Sequence, residues 1–233
     1  MSRLLAFGCS NTYGHGLEDC LLKDNQPGPQ PSKFAWPSLL ANKLNIPCLN
    51  LAEPGSSNQD ILRKILSEDI HENDIIVSLW THYSRDVLYV EHRAQGSNTD
   101  KKTGLDYMPI GHWMMVPGNG YSSVKHIVAS YYAAHTDIDQ QIRSWLSIHH
   151  AENYLARLNT KSYLFFLDAR NILYKKPSFL IFKNLQDLQL WETLFVKHPR
   201  ALDNNHPGLE AHRETAELMY NIINNDCLSR TTV

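Results

Sequence analysis

Arg3-Leu4-Leu5-Ala6-Phe7-Gly8 is an apolar run too short for a helix, and it passes directly into the turn-forming Cys9-Ser10-Asn11. It reads as a buried strand. Three further stretches share this character: 46–52 (IPCLNLA), 74–80 (DIIVSLW) and 161–168 (KSYLFFLD). The run over 74–80 is apolar on both faces, as strands of a covered parallel sheet are. Between and after these strands lie stretches with helical spacing. Phe34, Leu39, Leu40 and Leu44 mark one over 34–44, and Ile61, Leu62, Ile65 and Leu66 mark a second. Residues 122–135 and 138–158 read as two more, the latter with Ile142, Trp145, Leu146 and His149 on neighbouring turns. Residues 185–196 and 207–224 complete the set, the last with Leu209, Ala216, Met219, Tyr220 and Ile223 facing inward. The prolines of 26–32 (QPGPQPS) exclude a helix there, because proline lacks the donor and clashes with the preceding turn.

Strands alternating with helices imply right-handed βαβ units, hence an α/β protein with a mostly parallel sheet covered on both faces. The 233 residues fit one domain over 1–233. Its least regular part is 91–121, rich in Gly, Asn, Asp and Pro and without a sustained period, which reads as a long loop or insert and a natural lid or specificity wall. With 42% hydrophobic and 20% charged residues the chain buries a sizeable core, which excludes a wholly disordered chain. Lys+Arg 22 against Asp+Glu 24 leaves −2, so the charge makes no case for nucleic acid or an anionic membrane as partner. The apolar run at the start is too short for a secretory signal and no later stretch spans a bilayer, so a cytoplasmic protein is expected. Cys9, Cys20, Cys48 and Cys227 form no CxxC pair and read as free thiols.

Ligands of open α/β sheets gather outside the carboxyl ends of the strands. Here those ends carry Gly8-Cys9-Ser10, then Gly55 to Asn58, then Thr81 to Arg85. Ser10 sits where a strand turns, and there its hydroxyl and its own N–H face the same rim. A serine is a weak nucleophile until a base takes its proton. Asp203-Asn204-Asn205-His206-Pro207 offers one: a turn lets the carboxylate hold one imidazole nitrogen while the other faces Ser10. Pro207 suits the first helical position and would hold His206 at the helix entrance. Each residue has a plainer reading. Ser10 is a natural helix N-cap, Asp203 and His206 belong to a turn-rich sequence, and Gly55 supplies positive φ. Their joint occurrence in this chain order favours catalysis. Arg85 follows the third strand and suits either a substrate carboxylate or phosphate, or a salt bridge to Asp86 or Glu53. His149 and His150 point to different helix faces, and His112, His126, His135 and His212 add no metal spacing, so no metal is expected. The aromatic set Trp80, Tyr83, Trp113, Tyr121, Tyr131 and Tyr132 reads most simply as packing, with stacking on a sugar ring the functional alternative.

Four segments, FGCSNTYG (7–14), NLAEPGSSN (50–58), VSLWTHYSR (77–85) and DNNHPGLEAH (203–212), resemble the ordered blocks of the SGNH/GDSL hydrolase superfamily. The serine block with PGSSN and the WTxxxR segment resemble divergent variants found among bacteriophage and other microbial proteins. The resemblance implies a flavodoxin-like three-layer α/β/α sandwich, the SGNH hydrolase fold. It also implies hydrolysis of esters, often acetyl groups on carbohydrates, with Ser10 as nucleophile, His206 as base and Asp203 orienting it. Ser10 and Gly55 would give oxyanion-hole N–H groups. Two departures stand out. The block that usually reads Gly-x-Asn-Asp falls on Trp80-Thr81-His82-Tyr83, so His82 replaces the oxyanion asparagine, with Asn58 and Thr81 as alternative donors. Cys9 replaces the aspartate of Gly-Asp-Ser, which is not the triad's carboxylate. The expected function is therefore a serine esterase acting on a small-molecule or glycan ester without a cofactor. The His82 replacement keeps open a catalytically altered structural or glycan-binding module, virion-associated in that case, and acyl transfer to a sugar uses the same triad.

Overall fold

The computed structural model describes residues 2–90, 98–99, 106–111, 114, 124–167, 185–186 and 190–230. Five strands form the central sheet: β1 (Leu4–Phe7), β2 (Cys48–Asn50), β3 (Ile75–Trp80), β7 (Lys161–Phe166) and β8 (Leu185–Gln186). Their order is β2-β1-β3-β7-β8, and every pairing is parallel. Counted along the chain this is the 2-1-3-4-5 order of flavodoxin-like sheets, with its reversal point between β1 and β3.

Successive side chains of a strand face opposite sides of the sheet, and β1 shows the consequence directly. Leu4 and Ala6 enter one core with Trp36, Leu40, Val77, Phe165, Met219 and Ile223. Leu5 and Phe7 enter the other with Ile61, Ile65, Trp80, Trp145, Ile148 and Phe166. The first core lies under α2 (Trp36–Leu44), α6 (Leu190–Phe195) and α7 (Leu209–Arg230), the second under α3 (Asn58–Ser67) and α5 (Asp137–Arg157). Helices on both faces make the three-layer α/β/α sandwich that the alternation of elements implies. At about 1.5–3 kcal/mol per fully buried large aliphatic or aromatic side chain, these two cores are what hold the sheet.

The elements differ from the sequence reading in four places. Within and beside the irregular stretch, β4 (Asp86–Val90), β5 (Asn98–Thr99) and β6 (Asp106–Ile110) form a separate antiparallel sheet of order β4-β6-β5. Met108 and Ile110 pack there with Val124, Val128 and Tyr131, the last two on α4 (Lys125–Ala134). Pro109 argues against a strand by sequence, but β5 reaches only Asp106 and Tyr107, so Pro109 lies past its end. Most of 91–121 otherwise lies outside the described residues. Leu185–Gln186 is a strand rather than the start of a helix. On α5 the buried face runs through Gln141, Ser144, Trp145, Ile148 and Ala151, while Ile142 and Leu146 are exposed. Pro207 is not the first residue of the last helix: it bridges to Arg200, and the helix begins at Leu209. Among the described residues, no helix is long and apolar enough to cross a membrane. Cys9, Cys20 and Cys48 are free thiols, and the side chain of Cys227 is outside the description.

Two polar ties organise helix starts. Ser57 and Asp60 form a capping box on α3. On α2, Ala35 offers no capping side chain, and the first-turn N–H of Trp36 instead donates to Nδ1 of the fully buried His212, at 3.1 Å. That bond needs a neutral imidazole. Burial, with a smaller contribution from His206, pushes the His212 pKa down from 6.5 to about 3. The unfolded chain therefore binds this proton below about pH 6.5 while the folded chain refuses it until about pH 3. Stability is full above that window and falls with acid by up to about 1.4 kcal/mol per pH unit inside it. Urea unfolding of wild type and His212→Asn between about pH 6 and pH 4 should differ in slope by one proton, with the variant less acid-sensitive.

Candidate active site

Gly8 ends β1 against the chain's own next turn. A Cβ there would lie 2.1 Å from Thr12 Oγ1 and 3.2 Å from the Leu79 carbonyl, so only glycine fits. The single helical turn α1 (Ser10–Tyr13) follows and closes at Gly14, whose φ of 83° no other residue adopts cheaply. Ser10 is thus carried on the first turn of a helix at the end of a central strand. It is buried, its carbonyl accepts from Gly14 N–H and His15 N–H, and its own N–H belongs to a first turn, where no intrahelical partner exists.

The second block is pinned beside the first. Glu53 N–H donates to the Gly8 carbonyl at 3.3 Å, and Ser56 N–H closes the turn on Glu53 at 3.2 Å. Gly55, at φ 85°, lies inside that turn, and its N–H takes part in neither bond. Glu53 is not a partner for Arg85: its carboxylate is held by Lys64 Nζ and Tyr107 Oη, each at 2.9 Å. Between this turn and the antiparallel sheet opens a cavity of about 310 Å³, lined by Pro27, Glu53, Gly55, Asp60, Thr99 and Tyr107 among others.

Of the alternative oxyanion donors, Asn58 and the Thr81 N–H are engaged inside the fold. Asn58 is buried and spends its amide internally: Nδ2 donates to the Thr81 carbonyl at 3.2 Å and to Ser144 Oγ at 3.0 Å, and Oδ1 accepts Thr81 N–H at 2.8 Å. These bonds tie α3, β3 and α5 together and leave neither the Asn58 amide nor the Thr81 N–H for an oxyanion. His82 turns its ring edge-on to Trp191 of α6, with centroids 5.5 Å apart. Arg85 ends the same turn, its N–H donating to the His82 carbonyl at 3.3 Å.

The fourth block lies in the loop between α6 and α7. That loop closes on itself: Ala201 N–H donates to the His206 carbonyl at 2.9 Å and Gly208 N–H to the Pro199 carbonyl at 3.2 Å. Inside it, Asp203 Oδ2 meets His206 Nδ1 at 2.5 Å, while Oδ1 accepts the backbone N–H of Asn205 and of His206, both at 3.0 Å. Burial pushes the Asp203 carboxyl up, but the ring and backbone hydrogen bonds outweigh it and hold the group well below the usual carboxylate range. The acid is ionised, and its charge is directed at one imidazole nitrogen.

This loop is joined to the serine segment. Leu202 N–H donates to the Gly16 carbonyl at 3.1 Å, and the His15 ring lies on the His206 ring with centroids 4.3 Å apart. Among the described residues no hydrogen bond joins Ser10 Oγ to the His206 ring; catalytic hydrogen bonds of this kind often tighten only in the substrate complex. His15 and Gly16 are the residues that sequence reasoning passed over. The signal was the pattern Gly14-His15-Gly16, two left-handed residues around an imidazole. His15, Asp203 and His206 offer ligand atoms within 4.8 Å of one another. As a metal site they fit poorly: Asp203 Oδ2 is already bonded to His206 Nδ1 at 2.5 Å, Oδ1 accepts two backbone N–H groups, and His15 Nε2 is taken by the Asn25 carbonyl.

No protein-family model matches the chain, and no curated protein matches it either. Solved structures do. A carbohydrate esterase, described as having an active site with divergent catalytic and non-catalytic binding functions, superposes with a TM-score of 0.57 at 9% identity, covering 96% of this chain and 65% of that one. An acetyl xylan esterase from the rumen bacterium Butyrivibrio proteoclasticus gives 0.53 at 10% identity, covering 97% and 64%. The chain thus spans a little under two thirds of the length of either esterase. A lipolytic protein of the G-D-S-L family from Veillonella parvula matches at 0.45 and 11% identity, over 93% and 95% of the two chains. The fold is the three-layer α/β/α sandwich that the two esterases share. Within it, the segment that follows β1 touches both the turn holding Gly55 and the loop holding Asp203 and His206.

Gly16 is the tightest point of this junction. Its φ is 91°, and a Cβ would lie 2.7 Å from Asp203 Oδ1 and 2.9 Å from Ala201 Cβ. Gly16→Ala should lose about 1–2 kcal/mol from the left-handed backbone alone, read as a lowered Tm. A crystal structure of the variant should show the Asp203 carboxylate displaced from His206.

Proposed function

We propose that this chain is a serine ester hydrolase of the SGNH type that deacylates a carbohydrate or another small ester. The observation that carries the reading is the Asp203–His206 couple at 2.5 Å, fastened through His15 and Gly16 to the segment bearing Ser10. Ser10 Oγ attacks the acyl carbon while His206 Nε2 takes its proton, and ionised Asp203 stabilises the imidazolium and fixes its tautomer. The tetrahedral intermediate collapses, the leaving alkoxide takes the proton from His206, and the acyl group stays on Ser10. Water then attacks with His206 again as base, releasing the acid and restoring the hydroxyl. The oxyanion is held by the N–H groups of Ser10 and Gly55, with the His82 ring N–H as third donor. No step requires a cofactor.

The cavity beside Gly55 is the natural seat for the alcohol part of the ester. Its acidic residues Glu53 and Asp60 are matched by Lys64 and Arg63, so it offers hydrogen-bonding atoms without net charge. That suits a neutral hydroxylated group, and the carbohydrate and acetyl xylan esterases among the structural neighbours support the same substrate class. Arg85, which follows β3 and directly precedes β4, would hold an anionic substituent of the substrate where one is present. One observation favours a second reading, a non-hydrolytic glycan-binding module: the asparagine expected in the third block is His82, which packs on Trp191.

Short-chain aryl and sugar acetates separate the two. Hydrolysis is expected in wild type and should fall by about 10⁴-fold or more in Ser10→Ala and His206→Ala, with a phosphonate labelling Ser10 in the wild type alone. Asp203→Asn should also lose turnover, with a smaller change in KM. Glycan binding by Ser10→Ala and wild type alike, with no hydrolysis above background in either, would instead select the binding module.

A further inference from the structure

We propose that His15 is a positioning residue that clamps the His206 imidazole, through contact with its ring face, in the orientation where Nδ1 meets Asp203. The proposal rests on His206 being the base of the preceding reading. The Asp203–His206 hydrogen bond fixes one point of the ring and leaves it free to swing about that point. A second contact on the ring face removes the swing, and His15 supplies it, at 4.3 Å between centroids and 31° between planes.

The clamp is itself held at three places. His15 N–H donates to the Ser10 carbonyl at 3.1 Å. Gly14 and Gly16, at φ 83° and 91°, flank it and set the direction in which its side chain leaves the backbone. Its Nε2 lies 2.9 Å from the Asn25 carbonyl, which only accepts, so Nε2 carries the proton and the tautomer is set. Asn25 is in turn held left-handed at φ 58°. His15 therefore links the backbone of the nucleophile to the ring of the base. The groups bearing on the pair are Asp203, which faces both rings, and His212 of α7, which interacts with His206. Burial, and then the neighbouring His206, keep the His15 pKa below its ordinary value, so the clamp stays neutral and does not repel the proton that His206 takes up.

Two substitutions separate the ring face from volume. His15→Leu fills the space without a flat face, and His15→Phe restores the face without the hydrogen bond to Asn25. With a short-chain aryl ester, His15→Leu should lose at least about tenfold in kcat with KM within about twofold, because turnover rather than binding depends on the aligned base. His15→Phe should recover to within about threefold of wild type by the same argument. In resting protein, the downfield Nδ1–H resonance of His206 should broaden or vanish in His15→Leu and persist in His15→Phe, at matched Tm. Wild-type kcat and resonance in His15→Leu, or equal loss in both variants, would overturn the clamp. A wild type without Ser10-dependent hydrolysis would sink the esterase reading alone, since the resonance reports the clamp without turnover.

Discussion

The contact between the Ser10–Gly16 segment and the loop around Asp203 joins residues almost a chain length apart, and the site exists only where they touch. The direct fastening is slight: one backbone hydrogen bond from Leu202 to Gly16, and a tilted imidazole pair. A hydrogen bond of this kind nets about 1 kcal/mol, less than the cost of ordering even one loop residue and its side chain. The junction must therefore be delivered ready-made by the elements on either side. On one side β1 is an interior strand next to the reversal point, with no exposed residue. On the other, α7 packs into the core beneath α2 through Ala216, Met219 and Ile223. His212 adds a direct tie by capping α2 from the first turns of α7.

The location of the site follows from the same topology. On either side of the reversal point, the chain leaves β1 and β3 toward opposite faces of the sheet, which opens a crevice at their carboxyl ends. Gly8-Cys9-Ser10 emerges on one wall and Thr81–Arg85 on the other, and the Gly55 turn is drawn in by its bond to Gly8. Asn58 then takes up the slack between these walls. It binds both the N–H and the carbonyl of Thr81 and reaches Ser144, so its role is to hold α3 and α5 at the mouth of the crevice.

Much of this frame was legible in the sequence because it is written in local signals. The strands β1, β3 and β7 are short apolar runs cut by turn formers, and the paired cores follow from their alternation. Ser10, Asp203 and His206 were legible as residue types in a chain order with a chemical meaning. What stayed hidden depends on tertiary context. The antiparallel sheet was masked by Pro109 and by strands as short as Asn98–Thr99. Pro207 looked like the first residue of a helix, yet the backbone bonds of the loop around His206 hold it outside. His15 is marked in the sequence only by its two flanking glycines, and only the folded chain shows which ring it lies against. Asn58 read as a donor facing the site because a sequence does not show which hydrogen bonds are already made.

The oxyanion side of the site sets the demand on the substrate. Under the esterase reading, two backbone N–H groups are fixed by the fold, while the third donor is a ring held against Trp191. Losing one donor typically costs about 10²–10³ in turnover, or about 3–4 kcal/mol. Enzymes lower barriers by about 8–23 kcal/mol in all, so a triad whose third donor is weakened keeps most of its capacity. The remaining deficit falls on the charge of the tetrahedral intermediate, and it weighs least where the leaving alcohol departs easily. It also weighs less where binding energy from the rest of the substrate holds the acyl carbon in place. The cavity beside Gly55 adjoins one of the two backbone donors, so a substrate seated there would bring its carbonyl to the better-furnished half of the hole.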